Sequence, residues 1–169
     1  MSFSLVPRYS FPGLTDITPG FLEELGLKLI MLDLDNTIAA YKEPAPPDEV
    51  LAWVSELRTH GIELYIVSNS KRGERVESFG KALGTGVIIS ARKPSPNGIL
   101  SALKETGHTA EVSALAGDQV ITDTLAANRA GVVSIIVRPR RLTNAFFALR
   151  YALEAPFRAM CKNKMTRKL

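Results

Sequence analysis

The chain has 169 residues, a single cysteine and a formal net charge of +4, with 46% hydrophobic and 22% charged residues. That length fits one domain able to bury a core without staples. Lone Cys161 excludes an internal disulfide, so a reducing, cytoplasmic compartment is expected. No stretch reaches the roughly 18 uninterrupted apolar residues of a membrane span, and MetSerPheSerLeuValProArgTyrSer at the start lacks the apolar run of a secretory leader.

Thr18 followed by Pro19 reads as the N-cap and first position of a short helix. LysLeuIleMetLeu at 28–32 is the first strong strand, followed by a turn and a helix near 48–59. GluLeuTyrIleVal at 63–67 precedes a helix near 71–82, and ValIleIle at 87–89 a helix near 96–106. SerAlaLeuAla at 113–116 precedes a helix near 121–130, and ValValSerIleIleVal at 132–137 is the last strong strand. These strands are continuous apolar runs, as in a sheet covered on both faces. The alternation predicts an α/β fold: a doubly wound, mostly parallel sheet with helices on both faces. Gly61, Gly84 and Gly131 fall just past predicted helix ends, where a left-handed residue is wanted. His60 and His108 sit beside glycines at helix ends and read as exposed capping residues. Cys161 has no histidine near it in sequence and no strand-to-helix turn to activate it.

Open α/β sheets bind ligands at the carboxyl ends of their strands. The polar clusters all fall there. The first strong strand ends in Asp33-Leu34-Asp35-Asn36-Thr37, and the second in Ser68-Asn69-Ser70. Arg92-Lys93-Pro94 follows the third, and Gly117-Asp118-Gln119, with Thr122-Asp123 close behind, the fourth. Carboxylates two residues apart project to one side of a strand end. With Asp118 and Asp123 they form an oxygen-rich set for a hard divalent cation, which would relieve their mutual repulsion. Lys93 would neutralise a phosphoryl group, and Ser68 with the amides after it would donate to phosphate oxygens. A carboxylate nucleophile with a metal, a lysine and a hydroxyl suits phosphoryl transfer through an aspartyl phosphate.

These four clusters, in this order, resemble the motifs of the haloacid dehalogenase (HAD) superfamily. More narrowly, LysLeuIleMetLeuAspLeuAspAsnThr, IleValSerAsn, AlaArgLysPro and GlyAspGlnValIleThrAsp are similar to those of the YqeG-type subfamily III phosphatases. That group is similar in turn to phosphatidylglycerophosphate phosphatases. The resemblance implies Mg2+ as cofactor, Asp33 as nucleophile and metal ligand, and Asp35 as general acid and base, with its backbone carbonyl on the metal. It implies Ser68 and Lys93 as phosphoryl-holding groups, Asp118 as metal ligand, and Asp123 in or just behind the metal shell. Thr37 would order the loop after the first strand and stand on the substrate side, with Asn36 and Asn69 as further phosphate or substrate contacts.

Only about ten residues, from Ile38 to Pro47, separate the first motif from its helix, and from Ser70 to Arg92 there is room for one helix and one strand. No cap domain fits in either gap. An uncapped site suits a large or surface-presented phosphate ester, although an oligomeric partner could serve as a lid. Charge is divided along the chain: residues 1–137 carry 12 basic and 16 acidic side chains, whereas 138–169 carry nine basic ones and only Glu154 as an acid. The chain therefore reads as a phosphatase domain over 1–140 and a basic amphipathic helix and tail over 141–169. In that tail Phe146, Leu149, Leu153, Phe157 and Met160 follow helical spacing, opposite Arg150, Glu154 and Arg158. Pro156 is expected to kink or end the helix, and Lys162, Lys164, Arg167 and Lys168 follow it. One reading packs the apolar row on the domain. The other lays residues 142–169 on the inner face of an anionic membrane. Nucleic acid is disfavoured because no aromatics interleave with the basic residues on a sheet. Functional alternatives are a soluble phosphatase of a small phosphometabolite or phosphoprotein, a phospho-accepting receiver-like domain, and a non-catalytic module with a vestigial site. A receiver's acceptor aspartate stands on a later, central strand, whereas here the acidic pair ends the first strong one.

Overall fold

The computed structural model describes residues 3–141 and 145–165, and of Phe146 the backbone only. Positions 142–144, Arg167 and Lys168 of the expected tail, and the side chain of Phe146, lie outside the described residues.

Among the described residues seven strands make one sheet: β1 (Tyr9–Phe11), β2 (Leu29–Leu32), β3 (Glu63–Val67), β4 (Gly86–Ile88), β5 (Ser113–Gly117), β6 (Val133–Val137) and β7 (Asn163–Lys164). Their order is β4-β3-β2-β5-β6-β1-β7, and every pairing is parallel. The helices are α1 (Pro19–Glu24), α2 (Asp48–Thr59), α3 (Gly73–Leu83), α4 (Asn97–Thr106), α5 (Leu125–Ala130) and α6 (Ala145–Met160). Thr18 caps α1 as expected, its hydroxyl accepting from Phe21 N at 3.2 Å.

Period-2 alternation decides which helices cover which face. Ile30 and Leu32 of β2, with Leu64 and Ile66 of β3, pack on one side with Leu22, Trp53, Leu57, Val76 and Phe79 from α1, α2 and α3. Leu29, Met31, Tyr65 and Val67 pack on the other with Ile99, Ala102 and Ala126 from α4 and α5. All four residues of β2 are fully buried, which explains its unbroken apolar run. Gly61, Gly84 and Gly131 end their helices with φ of +69°, +58° and +79°, a conformation that costs a side chain about 1 kcal/mol or more.

The sheet departs from expectation at its edges and in two helices. β1 and β7 add beyond β6, and both are too short for a periodic signal. β7 is seated on β1, with Tyr9 opposite Asn163 and Met165 N donating to Ser10 O at 2.8 Å. α3 starts at Gly73 because Arg72 is non-helical, with φ −82° and ψ 75°. The helix expected near 121–130 is divided: Val120–Thr124 forms a wider, π-type turn, and α5 follows it.

α6 corrects the expectation that its apolar row packs on the domain. Glu154, 1% exposed, accepts from Ile121 N at 3.2 Å. Arg158 donates to the carbonyls of Val137, at 3.2 Å, and Asp118, and pairs with Glu154 at 3.3 Å. The charged row faces inward, and of the expected apolar row Leu149, Leu153 and Met160 face out, 61%, 65% and 59% exposed, while Phe157 is half-buried. Backbone groups at strand and turn ends demand partners, and here Glu154 and Arg158 supply them. Pro156 lies within the helix, which runs on to Met160. No helix among the described residues is long and apolar enough to cross a membrane.

Candidate active site

The sheet order reverses at β2. The chain moves outward through β3 to β4, then returns to place β5 on the other side of β2. A crevice at the carboxyl ends of β2 and β5 follows from that reversal. A cleft of about 430 Å³ opens there, with Asp33, Asp35, Ser68 and Lys93 among its lining residues. The loop from Asp33 to Pro47 contains only turns, bends and one Asp35–Ala39 bridge, and α3 alone lies between β3 and β4, so no cap domain stands over the cleft among the described residues.

Lys93 is the centre of charge. Its Nζ stands 2.7 Å from Asp33 Oδ1 and 2.7 Å from Asp123 Oδ1, with all three residues buried. Its backbone is held by Asn69, whose Oδ1 accepts from Lys93 N at 2.7 Å and whose Nδ2 donates to Lys93 O at 2.9 Å. Asn69 also borders the cleft. This two-way clamp ties the end of β3 to the loop after β4, a role its sequence position did not disclose.

Asp33, Asp118 and Asp123 each bring a carboxylate oxygen to within 4.8 Å of the others. Burial pushes the Asp33 carboxyl up to about 7, with Lys93 opposing and Asp123 adding to the rise. Burial likewise raises Asp118 well above its ordinary range, and the neighbouring Asp33 and Asp123 charges add to it. Burial works against a charged Lys93, but Asp123 and Asp33 outweigh it and hold the ammonium charged. Fully ionised, the three carboxylates would outnumber the Lys93 ammonium, and the raised pKa values of Asp33 and Asp118 reflect burial together with that repulsion, opposed at Asp118 by Arg150 and Arg158. Buried Asp118 Oδ1 has no hydrogen-bond partner. An all-oxygen donor set with an unpartnered oxygen fits a divalent cation.

Two local features make this convergence possible. Asp123 sits on the π-type turn, and its Oδ2 accepts from Gln119 N at 3.0 Å. Gly117 leaves the space that Asp123 fills: a Cβ there would stand 2.6 Å from the Asp123 Cβ and closer still to its carboxylate.

Asp35 lines the cleft with Asp33 and is held by Arg75 rather than by Lys93. Burial raises its pKa, opposed by Arg75, whose Nη1 donates to Asp35 Oδ1 at 2.8 Å. The same guanidinium donates to Ala40 O at 3.2 Å and Glu43 O at 3.3 Å, and lies 4.8 Å from the Phe79 ring centroid. Asn36 takes a left-handed φ of 65° and borders the cleft. Thr37 is not among the residues lining the cleft. It is buried and lines a neighbouring hollow with Glu49 and Arg140. Ser68 is buried at the cleft floor, its Oγ accepting from Ser70 N at 3.1 Å.

Sequence reasoning missed Arg75, Tyr41, Lys71, Arg72 and Phe147, and gave Gln119 no role of its own. All but Arg75 line the cleft, and Arg72 stacks 4.6 Å over the Tyr41 ring. The available signal was positional: residues at the start of the helix after β3 must rise beside the strand ends. His60 and His108 lie at helix ends as expected, paired with Glu23 and Glu63 at 2.8 and 3.1 Å. Cys161 is buried, with its Sγ directed to Asn163 O.

Residues 12–131 match the haloacid dehalogenase-like hydrolase family. The chain is 36% identical over 130 residues to the probable phosphatase YqeG of Bacillus subtilis, covering 77% of this chain and 75% of that one. Among solved structures, it is similar to the 3-deoxy-D-manno-octulosonate 8-phosphate phosphatase of Moraxella catarrhalis, bound to magnesium, phosphate and KDO. That likeness has a TM-score of 0.57 and 19% identity, over 85% of this chain and 79% of that one. The cobalt-bound deoxy-D-mannose-octulosonate 8-phosphate phosphatase of Haemophilus influenzae gives a TM-score of 0.53 at 16% identity, over 67% and 69%. With its family matched over most of its length and this constellation at the switch of its sheet, the chain belongs to the haloacid dehalogenase-like hydrolases, as one of their phosphatases.

Proposed function

We propose that the protein is a magnesium-dependent phosphomonoester hydrolase working through an aspartyl phosphate on Asp33, and that its substrate is a phosphate ester carried by a membrane lipid, phosphatidylglycerophosphate. The observation that carries this reading is that Lys93 and Asp33, which line the open cleft beside Ser68, are gathered with the buried carboxylates of Asp118 and Asp123. Magnesium held by Asp33, Asp118, Asp123 and the Asp35 carbonyl would supply positive charge against the phosphoryl oxygens. Lys93 Nζ and Ser68 Oγ orient the phosphoryl group in line with Asp33. An Asp33 oxygen attacks phosphorus as the P–O bond to the alcohol breaks, and Asp35 gives its proton to the departing oxygen. Asp35 then takes a proton from water, which attacks the aspartyl phosphate and releases inorganic phosphate.

The substrate reading draws on the open cleft and on the charge excess after residue 137. Residues 1–140 carry the chemistry in this scheme, and 141–169 hold the protein peripherally on the inner, cytoplasmic face of an anionic membrane. The test is a phosphatase assay with Mg2+ on lipid-embedded phosphatidylglycerophosphate and on soluble phosphosugars, with Asp33→Asn alongside. Preference for the soluble esters rejects the lipid substrate. Activity that survives in Asp33→Asn rejects the covalent chemistry.

A further inference from the structure

The side chains of α6 face the opposite way from those of an ordinary surface helix. The exposed positions described on it are Ala145, Ala148, Leu149, Ala152, Leu153, Ala155, Pro156, Ala159 and Met160, and none is polar. Its described polar and aromatic residues Phe147, Arg150, Tyr151, Glu154, Phe157 and Arg158 are half-buried or buried. The inner face is fixed by contacts from Glu154 and Arg158 to the Ile121 amide and the Asp118 and Val137 carbonyls. Rotating the helix to bury Leu149 and Leu153 would leave those backbone groups unpaired. The apolar face is therefore held outward by polar bonds beneath it.

We infer that this outer face of α6, built on Leu149, Leu153 and Met160, docks on an anionic lipid bilayer. The inference rests on the reading of the cleft as one for a membrane-borne phosphate ester, and it specifies which surface meets the membrane. Charge selects the occupant. Exposed Arg138 and Arg141 precede the helix, and exposed Lys162 and Lys164 follow it. A second copy placed face to face would bring the same cations against these four. An anionic leaflet complements them, each such residue raising partition by about fivefold. The helix is 16 residues long, or about 24 Å, and apolar side chains of an interfacial helix sink only about 5–10 Å into the headgroup boundary. Phe147, on the same helix, lines the cleft. Docking by the outer face would therefore bring the cleft mouth within about one helix diameter, roughly 10 Å, of the lipid headgroups.

The test uses the full chain and the triple variant Leu149→Gln/Leu153→Gln/Met160→Gln, whose substitutions fall on exposed positions away from the cleft. Flotation is measured with vesicles of phosphatidylglycerol and phosphatidylcholine and with phosphatidylcholine alone, beside hydrolysis of soluble p-nitrophenyl phosphate. Wild type is expected to float with the anionic vesicles, and the triple variant at least about 10-fold less, with soluble-ester hydrolysis unchanged within about twofold. Equal flotation of the two proteins overturns the inference. So does a wild-type dimer, seen by light scattering, that the triple variant abolishes, because the face would then belong to a second copy. Wild type that hydrolyses neither soluble nor lipid ester would defeat the reading of the cleft, while flotation would still judge the helix face on its own.

Discussion

Raising the pH should destabilise the metal-free protein, and the structure gives the size of the effect. Asp33 has an ordinary pKa of 3.8 when exposed and about 7 when buried in the fold. Between those values the folded chain binds a proton that the unfolded chain has released, so stability falls as pH rises. The stabilisation is fully present below pH 3.8 and is lost by the time pH passes 7. The slope is about 1.4 kcal/mol per pH unit in mid-window, and the loss between pH 5 and 8 is roughly 3 kcal/mol from this group alone. Asp118, also raised, adds in the same direction. The cluster titrates as a unit, so the loss spreads over a wider range than one group would give. Urea denaturation in EDTA at pH 5, 6, 7 and 8 measures it. Asp33→Asn removes the buried charge, so its stability should vary much less over that range and exceed that of wild type at pH 8. Saturating Mg2+ should restore wild type at pH 8 by binding only the folded state. Wild-type stability that is flat or rises between pH 5 and 7.5 in EDTA would refute the reasoning.

Other consequences follow from the same contacts. Asp33→Asn should reduce turnover of any phosphomonoester to background while circular dichroism stays native, because the amide keeps the shape and loses the proposed nucleophile. Gly117→Ala should push its new Cβ into Asp123, costing about 1–3 kcal/mol in urea denaturation and raising the Mg2+ concentration needed for half-maximal activity. Arg75→Ala frees Asp35, so kcat/KM for an alkyl phosphate should fall by about 100-fold. For p-nitrophenyl phosphate, whose leaving group needs no proton, the same ratio should change by less than about fivefold. Equal losses on the two esters would show that Arg75 serves the fold alone.

Much of the site was legible because its parts are short and local. Asp33, Ser68, Lys93 and Asp118 each follow a strand whose apolar run announces itself, and a parallel sheet puts all their ends together. What the sequence hid was of two physical kinds. Strands of two or three residues, such as β1 and β7, carry no period and are defined only by the neighbour they pair with. Residues such as Arg75 and Asn69 act through side chains that reach across 40 and 24 positions, and no local pattern records such a span. α6 misled for a third reason. Its periodicity was read correctly, but hydrophobicity alone cannot say which face turns inward when buried backbone groups nearby require Glu154 and Arg158.

That inversion changes how sequence variation along α6 should be weighed. The usual rule, that oily positions resist change and charged ones drift, runs backwards at Leu149, Leu153 and Met160 on one side and Glu154 and Arg158 on the other. Serine or glutamine at 149, 153 or 160 would leave the folded state undisturbed. A leucine at 154 would look conservative to a hydropathy scale and yet remove a buried acceptor beside Asp118. Selection acting on the outer row would then report on what the protein touches, and selection on the inner row on whether it holds together.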